Sequence, residues 1–130
     1  MLLILRKTRR NSYNDANCPR ISSHRFKKPM FIIDISYKVT LDKIDACMVA
    51  HVEFLDKYFA SGNFLIAGRK QPRNGGIIIA LASSREEMEG IIKEDPFYIN
   101  DLADIRIIEF SGGRKAERIN DLLAKLPGRP

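Results

Sequence analysis

The stretch MFIIDISYKV, residues 30–39, decides how the rest of the chain is interpreted. Its side chains alternate between two faces along the whole stretch. One face is apolar and carries Phe31, Ile33, Ile35, Tyr37 and Val39. The other face carries the polar residues Asp34, Ser36 and Lys38. A period of two with one apolar face predicts a β-strand that is buried mainly on one side.

A helix is predicted immediately after this strand. Thr40 is a suitable N-cap. A single apolar stripe follows at spacings of three and four residues, formed by Leu41, Ile44, Met48, His51, Leu55 and Tyr58. This spacing is that of one helix face, and Gly62 provides a stop.

The second half of the chain repeats strands and a helix. FLIAG (64–68) and IIIALA (77–82) have the length of strands, and the loop 69–76 between them predicts a hairpin. We interpret Gly75 and Gly76 as hairpin residues that need a positive φ, in preference to a phosphate cradle. Ser84 and Glu87 have capping-box spacing and begin a second helix.

This second helix has an inner face of Met88, Ile91 and Ile92, and Pro96 is predicted to end it. ADIRIIEF (103–110) is a last strand. Residues 114–126 then predict a short amphipathic helix through Ile119, Leu122, Leu123 and Leu126.

The order strand, helix, strand, strand, helix, strand predicts an α+β domain with a ferredoxin-like βαββαβ arrangement, over residues 30–112. Residues 113–130 form a C-terminal helix and tail. Both main helices would lie on one face of an antiparallel sheet, so Ile32, Ile108 and Phe110 would lie on the uncovered face. A second copy of the chain is the simplest cover, and we therefore expect a homodimer.

The basic charge of the chain is concentrated before the first strand. Residues 1–29 hold eight basic residues and one acid, a net charge of +7, whereas the remaining 101 residues have a net charge of −1. The body therefore lacks the electrostatic footprint of a nucleic-acid-binding protein. We interpret residues 1–29 as a disordered extension. It has three explanations: a start-site artefact or appended tail upstream of a native start at Met30, a basic arm for nucleic acid, or an organelle transit peptide.

Several classes of protein are disfavoured by composition. No apolar run approaches the roughly 18 residues of a membrane span. LLIL at the N-terminus is shorter than the apolar core of a secretory signal. Cys18 and Cys47 do not form a disulfide framework, and no metal-ligand or nucleotide-binding spacing occurs. We expect a cytoplasmic protein without a metal or a cofactor.

His51 is the one histidine of the body, and it occupies an apolar stripe. It is either a core histidine with a single hydrogen bond or a proton-transfer group. The second interpretation needs a carboxylate to orient the ring. Asp95 is a candidate, because both helices pack on the same sheet face. Spacing alone leaves open whether the two residues meet.

The segment 50–97 resembles the YCII-related family of small ferredoxin-like proteins. The resemblance is carried by His51 followed by FL, the passage SGNFLIAG (61–68), the glycine pair before the third strand, and DPF (95–97). It extends over about 80 residues and implies a dimeric α+β barrel-type fold. The resemblance also implies that His51 and Asp95 form the site, in a cleft.

The relatives implied by this resemblance include muconolactone-isomerase-like proteins and a branch that removes chloride from a chlorinated hydroxyhydroquinone. The chain departs from the family pattern at Arg69, where GP is usual, at Asp101, where GL is usual, and at Glu109, where proline is usual. Arg69 either binds an acidic substrate or is a solvated loop cation. Phe97 and Tyr98 either form a wall of an aromatic pocket or pack in the core.

Two functions follow from these features. One is a cofactor-free lyase or isomerase, dehydrochlorinase-like, that acts on a hydroxylated small molecule. In it, His51 is the general acid or base, Asp95 orients His51, and Arg69, Phe97 and Tyr98 contact the substrate. The alternative is a non-catalytic ligand-binding or interaction module on the same fold. An open pocket at the pair would favour the enzyme.

Overall fold

The computed structural model describes residues 29–124. Four strands form β1 (Met30–Tyr37), β2 (Phe64–Arg69), β3 (Gly75–Leu81) and β4 (Ala103–Phe110). The helices are α1 (Leu41–Ala46), α2 (Met48–Ala60), α3 (Arg85–Ile92), α4 (Pro96–Ile99) and α5 (Glu117–Ala124). The predicted extension up to residue 28, the tail from 125 and the side chains of Leu122, Leu123 and Leu126 lie outside the described residues.

The four strands form one antiparallel sheet in the order β2-β3-β1-β4. This order, with the strand and helix succession of the chain, is that of the ferredoxin-like α+β fold. The predicted fold class is therefore confirmed. The two central strands are β1 and β3. The strand predicted first from the sequence, β1, therefore lies in the middle of the sheet.

The alternation in β1 sets the inner face of the sheet. Phe31, Ile33 and Ile35 are all buried, with at most 2% of their surface exposed. Ile33 lies opposite Ile78 on one side and Ile107 on the other. One inward set of side chains therefore runs across three strands and forms the core beneath the helices.

The first predicted helix is broken in two. Cys47 ends α1 and precedes α2 with a non-helical φ of −105° and ψ of 2°. The break changes which residues face the core: α2 buries His51, Phe54 and Tyr58. Leu41, which begins the predicted stripe, is 41% exposed. The prediction of one continuous stripe from Leu41 was wrong, because regular helical spacing in a sequence does not reveal a local break in the helix.

Two predictions about turn residues were also wrong. Helix α3 ends at Ile92, and Pro96 is the first residue of α4, where its missing N–H removes no helical hydrogen bond. Gly75 lies in β3, and among the described glycines only Gly62 has a positive φ, of 87°. A Cβ at Gly75 would lie 1.9 Å from the carbonyl oxygen of Ile35. Close approach of two strands, not a turn, requires that glycine.

The outer face of the sheet is mixed in character. Ile66 is 64% exposed and Phe110 is 37% exposed on this face. Between them lies a charged cluster in which Lys70 Nζ is 2.6 Å from Asp34 Oδ1 and Arg106 Nη2 is 3.4 Å from Asp34 Oδ2. The hydrogen bond from Lys70 is the main cause that holds the pKa of Asp34 below its usual value.

Candidate functional site

A pocket of about 260 Å³ lies between the inner face of the sheet and α2, with α4 at one end. Its walls are mainly aliphatic and aromatic, and its polar side chains are Tyr37, His51 and Arg69. Gly76 explains why there is room. It faces inward between Ile35 and Arg69, its partners on β1 and β2, and carries no side chain into the space between them.

His51 and Asp95 meet at this pocket. His51 Nδ1 lies 2.9 Å from Asp95 Oδ1, and the two side chains are 10% and 0% exposed. The local sequence explains the position of the carboxylate. Asp95 is the N-cap of α4, Pro96 is its first residue, and the same Oδ1 accepts a hydrogen bond from the backbone N–H of Phe97 at 2.9 Å.

The ring of Phe97 fixes the face of the imidazole. The two rings are stacked, with centroids 4.0 Å apart and planes within 7°. Tyr37 packs edge-on against the same Phe97, with centroids 5.9 Å apart. His51 is therefore held through one nitrogen by Asp95 and through its face by Phe97, which leaves the ring little freedom to rotate.

This arrangement defines the role of each imidazole nitrogen. A carboxylate only accepts hydrogen bonds, so Nδ1 carries the proton that it donates to Asp95. In the neutral ring, Nε2 is then left with its lone pair. The ring lines the pocket, and no residue of the described part of the chain hydrogen-bonds to Nε2. The pair can therefore accept a proton from a molecule in the pocket, and Asp95 would stabilise the resulting imidazolium.

The second carboxylate oxygen is also notable. Oδ2 of Asp95 is buried, and none of residues 29–124 hydrogen-bonds to it. A buried acceptor without a partner is costly. The position of Asp95 is therefore maintained by its cap and its bond to His51.

Arg69 lines the pocket as an exposed side chain at the end of β2. It forms no hydrogen bond or ion pair with a described residue. Its charge contributes to lowering the pKa of Asp45, which is lowered mainly by the hydrogen bond from Arg73. The guanidinium of Arg69 is accordingly available to a ligand.

The side chains of Phe97 and Tyr98 lie in different surroundings. Phe97 is buried and lines the pocket, so it has both roles that the sequence left open. Tyr98 is 47% exposed and is not among the lining residues. Consecutive residues of a helix point in directions about 100° apart, so one of the two faces solvent when the other faces the core.

Sequence reasoning missed Tyr37 as a site residue. The alternation in the sequence placed Tyr37 on the inner face of the first strand. It did not show that β1 ends at Tyr37, where the side chain lies beside the pocket. The apolar side chains Val52 and Leu55 were missed as lining residues too. Among residues 29–124, no group of three or more His, Cys, Asp or Glu side chains is placed to hold a metal ion.

The departure at Asp101 has a structural explanation. Asp101 has a φ of 57°, a left-handed conformation that favours glycine and that Asp tolerates better than most residues. It pairs with Lys38 on the surface and does not line the pocket. The substitution of the usual glycine therefore lies outside the pocket, whereas Arg69 lines it.

Comparison with known proteins agrees with this geometry. Residues 30–111, more than half of the chain, match the YCII-related domain. The chain belongs to the YCII-related family. The resemblance expected from His51, the glycine-rich passage and DPF is thereby confirmed. None of the curated proteins compared with this YCII-related chain matches its sequence.

One solved structure shares the fold of this YCII-related chain, and a second has a weaker similarity to it. 5-Chloro-2-hydroxyhydroquinone dehydrochlorinase from Burkholderia phenoliruptrix AC1100, in complex with 2,5-dihydroxybenzoquinone, is similar with a TM-score of 0.56 and 18% identity, over 65% of this chain and 95% of that enzyme. SnoaB, a cofactor-independent oxygenase from Streptomyces nogalater, has a TM-score of 0.43 and 11% identity, over 69% and 96%. In the described part of the YCII-related chain, no helix has the length and apolar character needed to cross a membrane.

Proposed function

We propose that this protein is a small-molecule enzyme, a lyase or isomerase, in which His51 transfers a proton and Asp95 orients it. One observation carries the proposal. The buried carboxylate of Asp95 holds Nδ1 of His51 at 2.9 Å, while the ring of His51 lines an open pocket. Nε2 is the atom that this geometry leaves for the substrate.

The proposed reaction begins with a proton on a substrate hydroxyl group or an acidic C–H. That proton moves to Nε2, and the imidazolium is stabilised by the adjacent Asp95 carboxylate. In a lyase, the electron pair left on the substrate forms a new double bond as a leaving group departs. In an isomerase, His51 returns the proton to a different substrate atom. Neither course requires a bound cofactor, in keeping with the expected cofactor-free chemistry.

The shared fold with a dehydrochlorinase that binds a dihydroxybenzoquinone supports a hydroxylated substrate. The pocket has room for one substituted ring, since an apolar cavity of about 150 Å³ holds benzene and this pocket has about 260 Å³. We assign Phe97 to the wall of the substrate site and Arg69 to an anionic group of the substrate. Tyr98 is at most a residue of the rim, because it is not among the lining residues.

We further propose that the protein works as a homodimer in the cytoplasm. The dimer is supported by the outer face of the sheet, where Ile66 and Phe110 remain exposed in the single chain. Burial of such a face against its own copy would give a two-fold interface. The charged cluster at Asp34 would then lie within or beside the interface.

A second function is favoured by the dual use of Asp95. The same Oδ1 caps α4 and bonds His51, so the pair has a structural purpose that needs no reaction. In that case, the protein is a ligand-binding module of the same fold, and His51 contributes to a pocket wall.

The test is a metabolite-binding screen by thermal shift on the full chain, followed by turnover assays with each compound that binds. His51→Gln and Asp95→Asn are compared with Asp101→Asn, which changes an exposed carboxylate outside the pocket. The enzyme proposal predicts that both site variants lose turnover by about 100-fold or more, as general acid–base catalysis contributes roughly 10²–10⁴-fold. Asp101→Asn should retain turnover. Binding without turnover of any bound compound would favour the module.

A further inference from the structure

Tyr37 stands at the end of β1, on the inner face of the sheet, where its half-buried side chain lines the pocket. Its ring is fixed edge-on against Phe97, the same residue that stacks on His51. The main chain of Tyr37 is held as well, because its N–H donates to Asn74 O at 2.9 Å. Tyr37 therefore lines the pocket beside Phe97, the ring that stacks on the proposed proton acceptor His51.

The two arginines at this end of the pocket differ in their partners. Arg73 forms an ion pair with Asp45, and its pKa is raised by Asp45 and, to a smaller extent, by a hydrogen bond with the phenol of Tyr37. Arg69 acts on Asp45 through its charge alone, and Asp42 does so too. Arg69 forms no ion pair with a residue of the described part of the chain, and it lines the pocket.

Lys70, the third cation of the loop 69–76, does not line the pocket. Lys70 is engaged with Asp34 on the outer face of the sheet, and its ammonium also donates to Ser36 Oγ at 3.2 Å. Arg69 is therefore the one arginine or lysine among the pocket-lining residues of the described part of the chain. A ligand with one acidic group would match it, and the phenol O–H of Tyr37 can donate a second hydrogen bond to the same group.

From this placement we infer that Tyr37 and Arg69 together bind a single acidic group, so that the ligand is a one-ring compound carrying one negative charge. The size of the pocket agrees with one ring and one or two substituents. The inference rests on the proposed function in using the same pocket, with a hydroxyl group of the ligand at His51. It adds Tyr37 as a residue that determines specificity and names the class of ligand.

Titration calorimetry tests the inference with two matched pairs of probes: 3- and 4-hydroxybenzoate, and the corresponding neutral amides. In the wild-type protein, at least one acid should bind about 10-fold or more tightly than its amide, the range expected of a charge-assisted hydrogen bond. Arg69→Gln and Tyr37→Phe should each weaken binding of the acid by about 10-fold. Arg69→Gln should leave binding of the amide within about twofold, whereas Tyr37→Phe should weaken binding of the amide less than binding of the acid, because an amide oxygen accepts only a neutral hydrogen bond. Tyr98→Phe is the control, because Tyr98 does not line the pocket.

Each other result overturns a stated part. Equal binding of acid and amide would show that the site does not select an acidic group. Failure of both pairs of probes to bind would show that the ligand is not a one-ring compound. A Tyr37→Phe variant that melts with the wild type and keeps its preference for the acid removes Tyr37 from the site. These outcomes are separate from the proposed reaction, because the ratio of acid to amide affinity does not depend on proton transfer. His51→Gln tests the reaction and should leave that ratio unchanged.

Discussion

Replacing Asp95 with alanine removes two hydrogen bonds from one buried oxygen, and the structure allows the cost to be estimated. The cap on Phe97 N–H is worth about 1 kcal/mol. The donor of His51 Nδ1 is left without a partner, which costs about 1–3 kcal/mol in a buried site. Removal of the buried Oδ2, which has no partner among residues 29–124, offsets part of this cost. We expect a net loss of about 2 kcal/mol of unfolding free energy.

Asparagine should be tolerated far better at the same position. Its amide oxygen can accept from both Phe97 N–H and His51 Nδ1–H, and its NH₂ group replaces an oxygen that already has no described partner. The expected cost is about 1 kcal/mol or less. The comparison of alanine with asparagine therefore separates loss of the hydrogen bonds from loss of the charge.

Urea unfolding at neutral pH measures both changes, provided that the dependence of the unfolding free energy on urea is the same for all variants. Ser84→Ala is the matched control, since Ser84 caps α3 by accepting from Glu87 N–H at 3.1 Å but bonds no histidine. It should cost about 1 kcal/mol. If Asp95→Ala costs no more than Ser84→Ala, then the His51 contact contributes nothing to stability, and the estimate is refuted.

Three further predictions concern other parts of the molecule. Lys70 lowers the pKa of Asp34, so Asp34→Asn should destabilise the protein at pH 7. The difference from wild type in urea unfolding should begin to shrink as the pH falls below the usual carboxyl value of 3.8, and it should be lost as the pH falls through the lowered pKa of the folded state; a difference that does not shrink below this value would contradict the prediction. If the outer sheet face is the dimer interface, then Ile66→Glu should give monomers in light scattering of the chain truncated to residues 30–130, whereas Val49→Glu, at a 74% exposed site on α2, should not. Gly75→Ala should lower the melting temperature by more than 10 °C, about 2–3 kcal/mol of strain, because the Cβ meets backbone; a melting temperature within about 2 °C of wild type would argue against the close approach.

The succession of strands and helices was predictable because it follows from local patterns. The alternation in β1 and the succession of apolar runs each depend on residues that are near in sequence. The fold follows because few topologies accommodate that succession. The pairing of His51 with Asp95 needed more, since 44 positions separate the two residues. The resemblance carried by DPF indicated the pairing, and the structure brings the two side chains together.

The remaining features depend on contacts that the sequence does not display. The break at Cys47 and the burial of Phe54 come from how α1 and α2 settle on the sheet. The need for glycine at position 75 arises from the carbonyl of Ile35, far along the chain. Pro96 illustrates a different limit, because a proline can either follow the end of a helix or occupy its first position. Here the cap at Asp95 shows that Pro96 begins α4.

The proton on the His51 ring tests the central claim most directly. Nitrogen-15 NMR of the full chain, at a pH where the imidazole is neutral, distinguishes a protonated ring nitrogen from one with a free lone pair. The geometry predicts a protonated Nδ1, bonded to Asp95, and an unprotonated Nε2 whose resonance responds to molecules that enter the pocket. A proton on Nε2 in the neutral ring would leave His51 unable to accept one from a substrate, and would contradict the proposed role of the pair.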